Sequence, residues 1–358
     1  MRTRIAAGIS ISLALVVMLA LFAWYWMGQP NYRPGRLHLS ALLQPPPQVT
    51  DGDSWSMGNN IRLHHFADGA GSNVLVVHGG PGYPMHEPPA GLHALATQHR
   101  FHYYDQRGCG KSSRPVDRFV AHSFYQNSLE LEAALGLGTQ VADIERIRRI
   151  LGDDKLILFG HSFGGFLAAL YAAEFPEHVK ALVLVAPADV LVLPAKGGGL
   201  FAQVRAALPA GRQAPYNAFV SHYLNFGHIF NLSETELAAM NREFANYYAE
   251  AAAARGIALP STEAPADAGG WMVQAMYLSM GRWHDYRDAL RRVAAPVLVI
   301  HGARDFQTAA ESRVYAQCFP HARFTIIQSA GHFPFTEQPA EFAGVVGQFL
   351  RELDQANI

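Results

Sequence analysis

Short apolar runs alternate with amphipathic stretches along the chain from about Trp55 onward. The runs are rich in β-branched residues and the stretches between them have helical patterns, which predicts βα units on a largely parallel sheet. Several runs are apolar throughout, as is typical of strands that are covered on both faces. The pattern predicts strands at residues 73–77, 101–104, 155–159, 181–185, 296–300 and 323–327.

One helix between these strands has an apolar face and marked ends. Its apolar positions recur every three residues, at Val141, Ile144, Ile147 and Ile150. Thr139 is suited to cap the first turn and Gly152 to end the last one. We expect a helix bounded by these two residues.

The N-terminal residues 5–27 are uncharged and largely apolar. At about 1.5 Å per residue, a helix of this length would cross a roughly 30 Å hydrocarbon core. A cleaved signal peptide is the alternative, but the run ends in Trp24, Tyr25 and Trp26, which suit a membrane interface. Arginines flank the run on both sides and favour a cytoplasmic N terminus only weakly. We expect a membrane-anchored protein whose remaining chain faces the periplasm or the exterior.

The alternation of strands and helices stops between about residues 189 and 288, where helical and loop patterns take over. Ser233 and Glu236 form a capping-box pattern before an amphipathic stretch, which predicts a helix in this insert. The expected organisation is an N-terminal membrane anchor (1–28), a proline-rich tether (29–55), a first core part (56–188), a helical cap insert (189–288) and a second core part (289–358).

Charge and composition argue against two classes of partner. Lys plus Arg number 28 against 29 Asp plus Glu, without a basic run, so nucleic acid is not an expected partner. The two cysteines, Cys109 and Cys318, form no C-x-x-C pair, and Ala90 stands where a zincin motif begun at His86 would need its second histidine. We therefore expect no metal and no other cofactor.

Residues 105–113, DQRGCGKSS, end like a phosphate-binding loop. Such a loop has a glycine five positions before its Gly-Lys pair, so that successive amides wrap the phosphates. That position holds Asp105. The segment is therefore not predicted to bind a nucleotide.

Residues 160–164, Gly-His-Ser-Phe-Gly, follow an apolar strand and precede an Ala/Leu-rich helix. This context is that of a nucleophile elbow, a strained strand-to-helix turn that exposes its serine at the carboxyl end of a sheet. Small residues at Gly160 and Gly164 are needed because larger side chains would collide with the neighbouring backbone. Ser162 is the predicted nucleophile, the alternative being a flexible glycine turn.

A second motif, VLVVHGGPG at residues 74–82, places glycines directly after a strand. We predict that the Gly80 amide and the Phe163 amide form an oxyanion hole. Pro81 is suited to a cis peptide bond. His78 ends the strand, where an imidazole more often bonds to the backbone, so we assign it a structural role.

Two polar residues after late strands complete a catalytic set. Asp305 follows the strand predicted at residues 296–300, and His332 follows the one at 323–327. The order serine, acid, histidine is that of the Ser-His-Asp machinery on a parallel sheet. We predict that His332 exchanges the Ser162 proton and that Asp305 orients the imidazole. Either residue alone is also an ordinary loop residue.

The motifs HGGPG (78–82), DQRGCGKS (105–112) and GHSFG, with Asp305 and His332, resemble the prolyl aminopeptidase (proline iminopeptidase) family of α/β-hydrolases, peptidase family S33. The resemblance implies an α/β-hydrolase fold with a helical cap, and release of an N-terminal residue, usually proline, from small peptides. It also implies that Asp105 and Arg107 brace loops beside the active site. The elbow departs from the family's usual Gly-Gly-Ser-Trp-Gly.

The family's cap carries acidic residues that bind the free amino group. Here Glu234, Glu243 and Glu250 are candidates by location, and a solvated helix face is the alternative for them. A carboxylesterase on the same scaffold is the alternative function, because aromatic residues of the insert are suited to an apolar acyl pocket or to the cap's own core. These aromatic residues are Tyr216, Phe219, Tyr223, Phe226 and Tyr277, with Met276 beside them. A non-catalytic binding protein is a third alternative, but it would need none of the three triad residues, all of which are present. We therefore expect an enzyme whose partner is a small peptide or ester substrate.

Overall fold

The computed structural model describes residues 16–19, 21–22, 24–26, 28–37, 43–49, 52–121, 123–259 and 265–355. In this part of the chain the strands are β1 (Ser54–Gly58), β2 (Ile61–Gly69), β3 (Ser72–Val77), β4 (His99–Tyr104), β5 (Leu156–His161), β6 (Val179–Val185), β7 (Val192–Leu193), β8 (His284–Asp285), β9 (Val297–Gly302) and β10 (Ala322–Ile327). The helices are α1 (Ala90–His93), α2 (Phe124–Leu135), α3 (Leu137–Leu151), α4 (Phe163–Glu174), α5 (Gly199–Ala207), α6 (Ala210–Tyr223), α7 (Phe226–Ile229), α8 (Glu234–Ala254), α9 (Trp271–Met280), α10 (Arg287–Leu290), α11 (Ala309–Cys318), α12 (Pro334–Glu337) and α13 (Pro339–Gln355).

The main sheet has eight strands in the order β1-β2-β4-β3-β5-β6-β9-β10. Six neighbouring strands of this sheet, β4, β3, β5, β6, β9 and β10, run parallel to one another. At the other edge, β1 and β2 are antiparallel. All six predicted strands are confirmed, and each differs from its predicted bounds by only one or two residues. The antiparallel edge was not predicted, because only one residue of β2 is fully buried and four of its nine residues are polar.

Both faces of the sheet are covered by helices, as the apolar strands require. On one face α4 lies across the sheet with every one of its residues buried. On the other face α13 packs Phe342, Val346 and Leu350 against the strands. This sandwich holds the carboxyl ends of the strands at one edge, where the loops carry the candidate chemistry.

The bounds of α3 differ from the prediction at one end. The helix begins at Leu137 after Gly136, so the prediction that Thr139 caps it is wrong. The Thr139 hydroxyl instead donates to the Ala133 carbonyl at 3.0 Å, inside a helix-to-helix turn. The C-terminal prediction is confirmed, because Gly152 takes a left-handed conformation with φ of 75°.

The chain between β6 and β9 forms helices α5 to α10, and a short antiparallel pair, β7 with β8, joins the two ends of this stretch. The capping box of Ser233 and Glu236 at the start of α8 is confirmed. Tyr216 and Phe219 lie in an apolar cluster of their own together with residues of α8. They therefore belong to the core of this helical layer. The division of the chain into an anchor, a tether, two core parts and a cap stays a prediction.

The predicted membrane span, residues 5–27, lies largely outside the described residues. Among the residues that are described, no helix combines the length and the apolar composition needed to cross a membrane. The longest of them, α8, is long enough but carries charged residues such as Glu243 and Glu250. The described residues therefore do not support the predicted transmembrane helix or the predicted membrane contact, and the predicted extracytoplasmic localisation is contradicted.

Residues 28–37, the last residue of the predicted anchor and the first part of the predicted tether, are bound to the domain. The buried carboxylate of Glu174 at the end of α4 accepts hydrogen bonds from the Tyr32 hydroxyl at 2.7 Å and from the Gly35 and Leu37 amides at 2.6 Å each. Arg282 N donates to the Gly28 carbonyl at 2.7 Å. We call residues 28–37 the N-terminal strap, because it joins the end of α4 to the chain that follows α9.

Candidate active site

Ser162 stands at the turn between β5 and α4, in the backbone geometry of a nucleophile elbow. Its φ of 53° and ψ of −121° are strained for a residue with a side chain. The flanking glycines are required by space, since a Cβ at Gly160 would lie 2.6 Å from the Gly164 carbonyl oxygen and one at Gly164 would collide with the Val77 carbonyl. Two hydrogen bonds hold the turn. Ser162 N donates to the Val185 carbonyl at the end of β6 at 2.9 Å, and Ala188 N, just after β6, donates to the Ser162 carbonyl at 3.0 Å.

The glycine loop after β3, residues 79–83, passes directly beside the elbow, and we call it the oxyanion loop. A Cβ at Gly79 would lie 2.9 Å from Ser162 Cβ, so the two backbones are in contact. Gly80 has φ of 117°, and its bond to Pro81 is cis, as the sequence suggested. The two predicted oxyanion donors thus lie on segments that are in contact. The Gly80 amide belongs to the oxyanion loop, and the Phe163 amide to the N terminus of α4.

His78 bonds to the backbone through both ring nitrogens. Its Nδ1 lies 3.0 Å from the Gly79 carbonyl oxygen, and its Nε2 accepts from the Gln106 amide at 3.1 Å. Burial lowers the pKa of this imidazole, with the Gly79 hydrogen bond and Asp105 opposing. These contacts agree with the structural role expected for His78.

Asp305 and His332 meet across the loops that follow β9 and β10. Nδ1 of His332 lies 2.7 Å from Oδ2 of Asp305, whose side chain is fully buried. Burial acts to lower the pKa of His332, but the charge and the hydrogen bond of Asp305, with Glu337 and Asp189, outweigh it and raise the pKa above its ordinary value. The pair therefore has the contact that an orienting carboxylate makes with a catalytic imidazole.

His161, the residue before the serine, is a site residue that the sequence interpretation did not assign. Its Nε2 lies 2.9 Å from the His332 carbonyl oxygen. Burial and the neighbouring His332 hold the pKa of His161 well below its usual range, so the ring is neutral. Because its partner is a carbonyl oxygen, Nε2 carries the ring proton and donates the hydrogen bond. The only signal in the sequence is a polar residue at the end of an apolar strand.

Ser162 and His332 line one cavity of about 660 Å³ between the sheet and the inserted helices. Most of its wall is aromatic or aliphatic, and among the described residues no Asp, Glu, Lys or Arg lines it. Tyrosines supply hydroxyl groups to the wall, and His86 is also one of the lining residues. The aromatic lining residues are Tyr83, Tyr223, Phe244, Tyr248, Tyr277, Phe333 and Phe335.

The three acidic candidates of the insert are engaged elsewhere. Glu234 is buried, pairs with Arg114, and accepts from the Gly270 amide at 2.9 Å and the Trp271 amide at 2.6 Å. Glu250 pairs with Arg212 on the surface at 2.9 Å, and Glu243 is exposed. Glu243 and Glu250 therefore belong to a solvated helix face, which was the alternative prediction for them. Glu234 instead holds the turn at Gly270 and Trp271.

The DQRG segment is a structural turn beside the site. Asp105 accepts from the Lys111 amide at 2.8 Å. Arg107 makes a two-pronged salt bridge with the buried Asp143 of α3, at 2.9 and 2.7 Å. Both contacts brace loops, which is the role that the resemblance implied.

In the described part of the chain, no group of three or more His, Cys, Asp or Glu side chains is placed to hold a metal ion. Cys109 and Cys318 are buried free thiols. Burial raises the pKa of the Cys109 thiol well above its usual value, so this cysteine is not a reactive thiolate.

Comparisons with known proteins agree with the fold and with the motifs. A family model described as the alpha/beta hydrolase fold matches residues 73–339. The proline iminopeptidase of Heyndrickxia coagulans is 27% identical over 311 residues, which cover 85% of this chain and 99% of that protein. The resemblance to prolyl aminopeptidases is thereby confirmed.

Solved structures of two enzyme classes share this fold. Proline iminopeptidase of Mycobacterium smegmatis has a TM-score of 0.56 and 22% identity, covering 84% of this chain and 98% of that one. A thermophilic esterase of Thermogutta terrifontis has a TM-score of 0.54 and 21% identity, covering 84% and 97%. The fold alone therefore does not separate a peptidase from an esterase.

Proposed function

The chain belongs to the alpha/beta hydrolase fold family and is a serine hydrolase, and from this premise we propose that it acts through an acyl-enzyme on Ser162. The observation that carries the proposal is the hydrogen bond between His332 and Asp305 at 2.7 Å, made by a histidine that lines the same cavity as the serine of the elbow. A catalytic serine, its base and an orienting carboxylate require this arrangement.

In the proposed reaction, Ser162 Oγ attacks the substrate carbonyl while His332 Nε2 takes the hydroxyl proton. The oxygen that becomes negative is stabilised by the amides of Gly80 and Phe163 and by the N terminus of α4. His332 gives its proton to the leaving group. A water molecule then attacks the acyl-enzyme and loses a proton to His332, and His332 returns that proton to Ser162 Oγ as the bond between Oγ and the acyl group breaks. Asp305 holds the imidazole and stabilises its protonated form.

We assign the substrate first to small peptides with an N-terminal proline or another small residue. The support is the similarity to proline iminopeptidases over most of the chain, together with the HGGPG and DQRG motifs. On this assignment the acyl group of the intermediate is the N-terminal amino acid. The leaving group is the rest of the peptide.

A carboxylesterase is the second candidate, and the lining of the cavity favours it. A free ammonium group buried without a counter-charge is costly, and no carboxylate of the described residues lines the cavity. An uncharged acyl group carries no such cost. Its apolar part would contact the tyrosine and phenylalanine rings of the wall.

The two candidates are separated by kcat/KM of the full-length chain on L-prolyl p-nitroanilide, N-acetyl-L-prolyl p-nitroanilide and p-nitrophenyl butyrate. Cleavage of the first amide that N-acetylation abolishes supports the aminopeptidase, and turnover of the ester alone supports the carboxylesterase. Ser162→Ala should lower every activity by at least about a thousandfold. Activity that survives this substitution rules out the acyl-enzyme.

A further inference from the structure

The oxyanion loop is packed between the nucleophile and the inserted helices. Gly79 contacts the elbow on one side, as described above. On the other side, a Cβ at Gly82 would lie 3.2 Å from the Gly269 nitrogen, in the segment that leads into α9. The loop therefore touches both the reacting serine and the cap, which here denotes the described residues between β7 and β8.

Two hydrogen bonds connect this loop to the cap, and a third joins their two cap partners. The Tyr83 hydroxyl donates to the Asn241 carbonyl of α8 at 2.8 Å. The Asn241 side-chain amide donates to the Gly269 carbonyl at short range. The Gly269 amide donates to the Gly82 carbonyl at 2.9 Å. Because Gly82 and Tyr83 are neighbours in the chain, the bonds form a closed circuit.

The groups in this circuit have fixed orientations. Asn241 is only 2% exposed, and its Oδ1 accepts from the Tyr223 hydroxyl at 2.6 Å, so its side chain is held on both sides. Burial, reinforced by Tyr277, raises the pKa of Tyr83 far above neutrality. The Tyr83 hydroxyl therefore stays protonated and is a hydrogen-bond donor at neutral pH.

The segment that carries Gly269 is itself anchored to the core. The Gly110 amide of the DQRG turn donates to the Asp267 carbonyl at 2.9 Å. Glu234 accepts from the amides of Gly270 and Trp271. The cap end of the circuit thus has a defined position.

The loop end, in contrast, contains three glycines, which have wide conformational freedom. Gly80 and Gly82 have φ of 117° and 77°. Glycine adopts positive and negative φ values about equally readily, so several backbone conformations are accessible to the loop. Hydrogen bonds from outside the loop are therefore needed to hold one of these conformations. The circuit supplies two of them, at Gly82 and at Tyr83.

We propose that Tyr83 and Asn241 are positioning residues, which hold the oxyanion loop through the cap so that the Gly80 amide points to the developing oxyanion. The inference rests on the proposed function, because it takes the Gly80 amide as an oxyanion donor. The contacts between the cap and the loop, and the placement of the Gly80 amide in the oxyanion hole, then form together. The effect belongs to the transition state, so it appears in kcat more than in KM.

The test compares full-length Tyr83→Phe with full-length Tyr216→Phe, using whichever of the three substrates above the wild type hydrolyses. Tyr216 is the matched control, because its hydroxyl also donates to a backbone carbonyl, Phe201 O at 3.1 Å, but inside the cap core and away from the cavity lining. We expect Tyr83→Phe to lower kcat about tenfold with KM within about twofold of the wild type, and Tyr216→Phe to keep the wild-type kcat.

Two further measurements make the test specific. Affinity for phenyl trifluoromethyl ketone, which forms a tetrahedral oxyanion adduct with an active serine, should fall in Tyr83→Phe by the same factor as kcat/KM. Asn241→Leu, with folding checked by its melting temperature, should show a larger loss of the same kind. A Tyr83→Phe enzyme that matches Tyr216→Phe in both readouts overturns the inference alone, whereas a wild type without Ser162-dependent turnover overturns the proposed function and this inference together.

Discussion

The imidazole of His161 donates through Nε2 to the backbone oxygen of His332, 2.9 Å away, so the residue before the elbow serine holds the loop of the proposed base. The two residues are far apart in the sequence, and their loops follow different strands. The ring of His161 is also enclosed by Phe333 and Phe335, whose centroids lie 5.0 and 4.9 Å from it. This contact gives the first prediction.

His161→Leu removes the donor and leaves the His332 carbonyl without its partner, so we expect kcat to fall about fivefold to tenfold. His161→Gln keeps a side-chain N–H that can reach the same oxygen and should recover most of the activity. The measurement is steady-state kinetics of both variants with their melting temperatures. Equal losses in the two variants would mean that packing of the ring, and not the hydrogen bond, is what matters.

Because the pKa of His332 is raised, we expect activity to be lost on acidification at a higher pH than for an ordinary histidine. The neutral imidazole is the active base, and Asp305 favours the protonated form, so kcat/KM should fall tenfold per unit as the pH drops through a midpoint above the ordinary histidine pKa of about 6.5. Asp305→Asn should move this midpoint to lower pH and reduce the plateau by about a hundredfold or more. A pH–rate profile of both proteins measures this, and an unshifted midpoint in Asp305→Asn would contradict the role of the carboxylate.

Several half-buried and buried histidines predict that the fold is labile to acid. Burial, together with His64 for His65 and with Arg100 for His102, lowers the pKa of each to about 4. An unfolded chain binds protons at these residues below about pH 6.5 while the folded one does not, so the stability that is complete above that pH is lost as the pH falls toward 4. Thermal unfolding at pH 7.5, 6.5, 5.5 and 4.5 should show a falling melting temperature.

A variant isolates one of these histidines. His102 Nε2 lies 2.8 Å from Asn73 Oδ1, and His102→Gln can keep that hydrogen bond without a titrating group. The variant should reduce the pH slope of the unfolding free energy by at most about 1.4 kcal/mol per pH unit. His332 has the opposite effect, because its raised pKa adds stability that is lost as the pH rises. An unchanged slope in His102→Gln would show that this residue does not contribute.

The N-terminal strap should contribute to stability through Glu174. Tyr32→Phe removes a hydrogen bond to a buried carboxylate, and we expect the free energy of unfolding to fall by about 1.5–3 kcal/mol. Tyr25→Phe changes an exposed tyrosine and is the matched control. Urea unfolding of both variants measures the difference. Equal midpoints would show that the Tyr32 hydrogen bond to Glu174 does not stabilise the domain.

The sheet and the order of the site residues were accessible from the sequence because both depend on local signals. Apolar runs report strands that are buried on both faces, and the elbow glycines report a turn in which a Cβ collides with backbone. The placement of Asp305 and His332 after late strands then follows from the rule that the carboxyl ends of parallel strands share one edge. The edge strand β2 was missed because most of its residues are only partly buried and carry little pattern. The start of α3 was missed because its cap residue is Gly136, which makes no side-chain capping bond.

The sequence by itself determined which segments form the parallel sheet and which residue types stand at its catalytic edge, because hydrophobic periodicity and turn sterics act over a few neighbouring positions. Only the tertiary structure decided that Tyr83 bonds to Asn241, that Glu174 binds the strap and that Glu234 holds a turn, away from the cavity wall. Each of these contacts joins polar groups that are distant in the chain. A polar residue carries no periodic signal for its partner, and its hydrogen bonds are set by where folding of the apolar core places it.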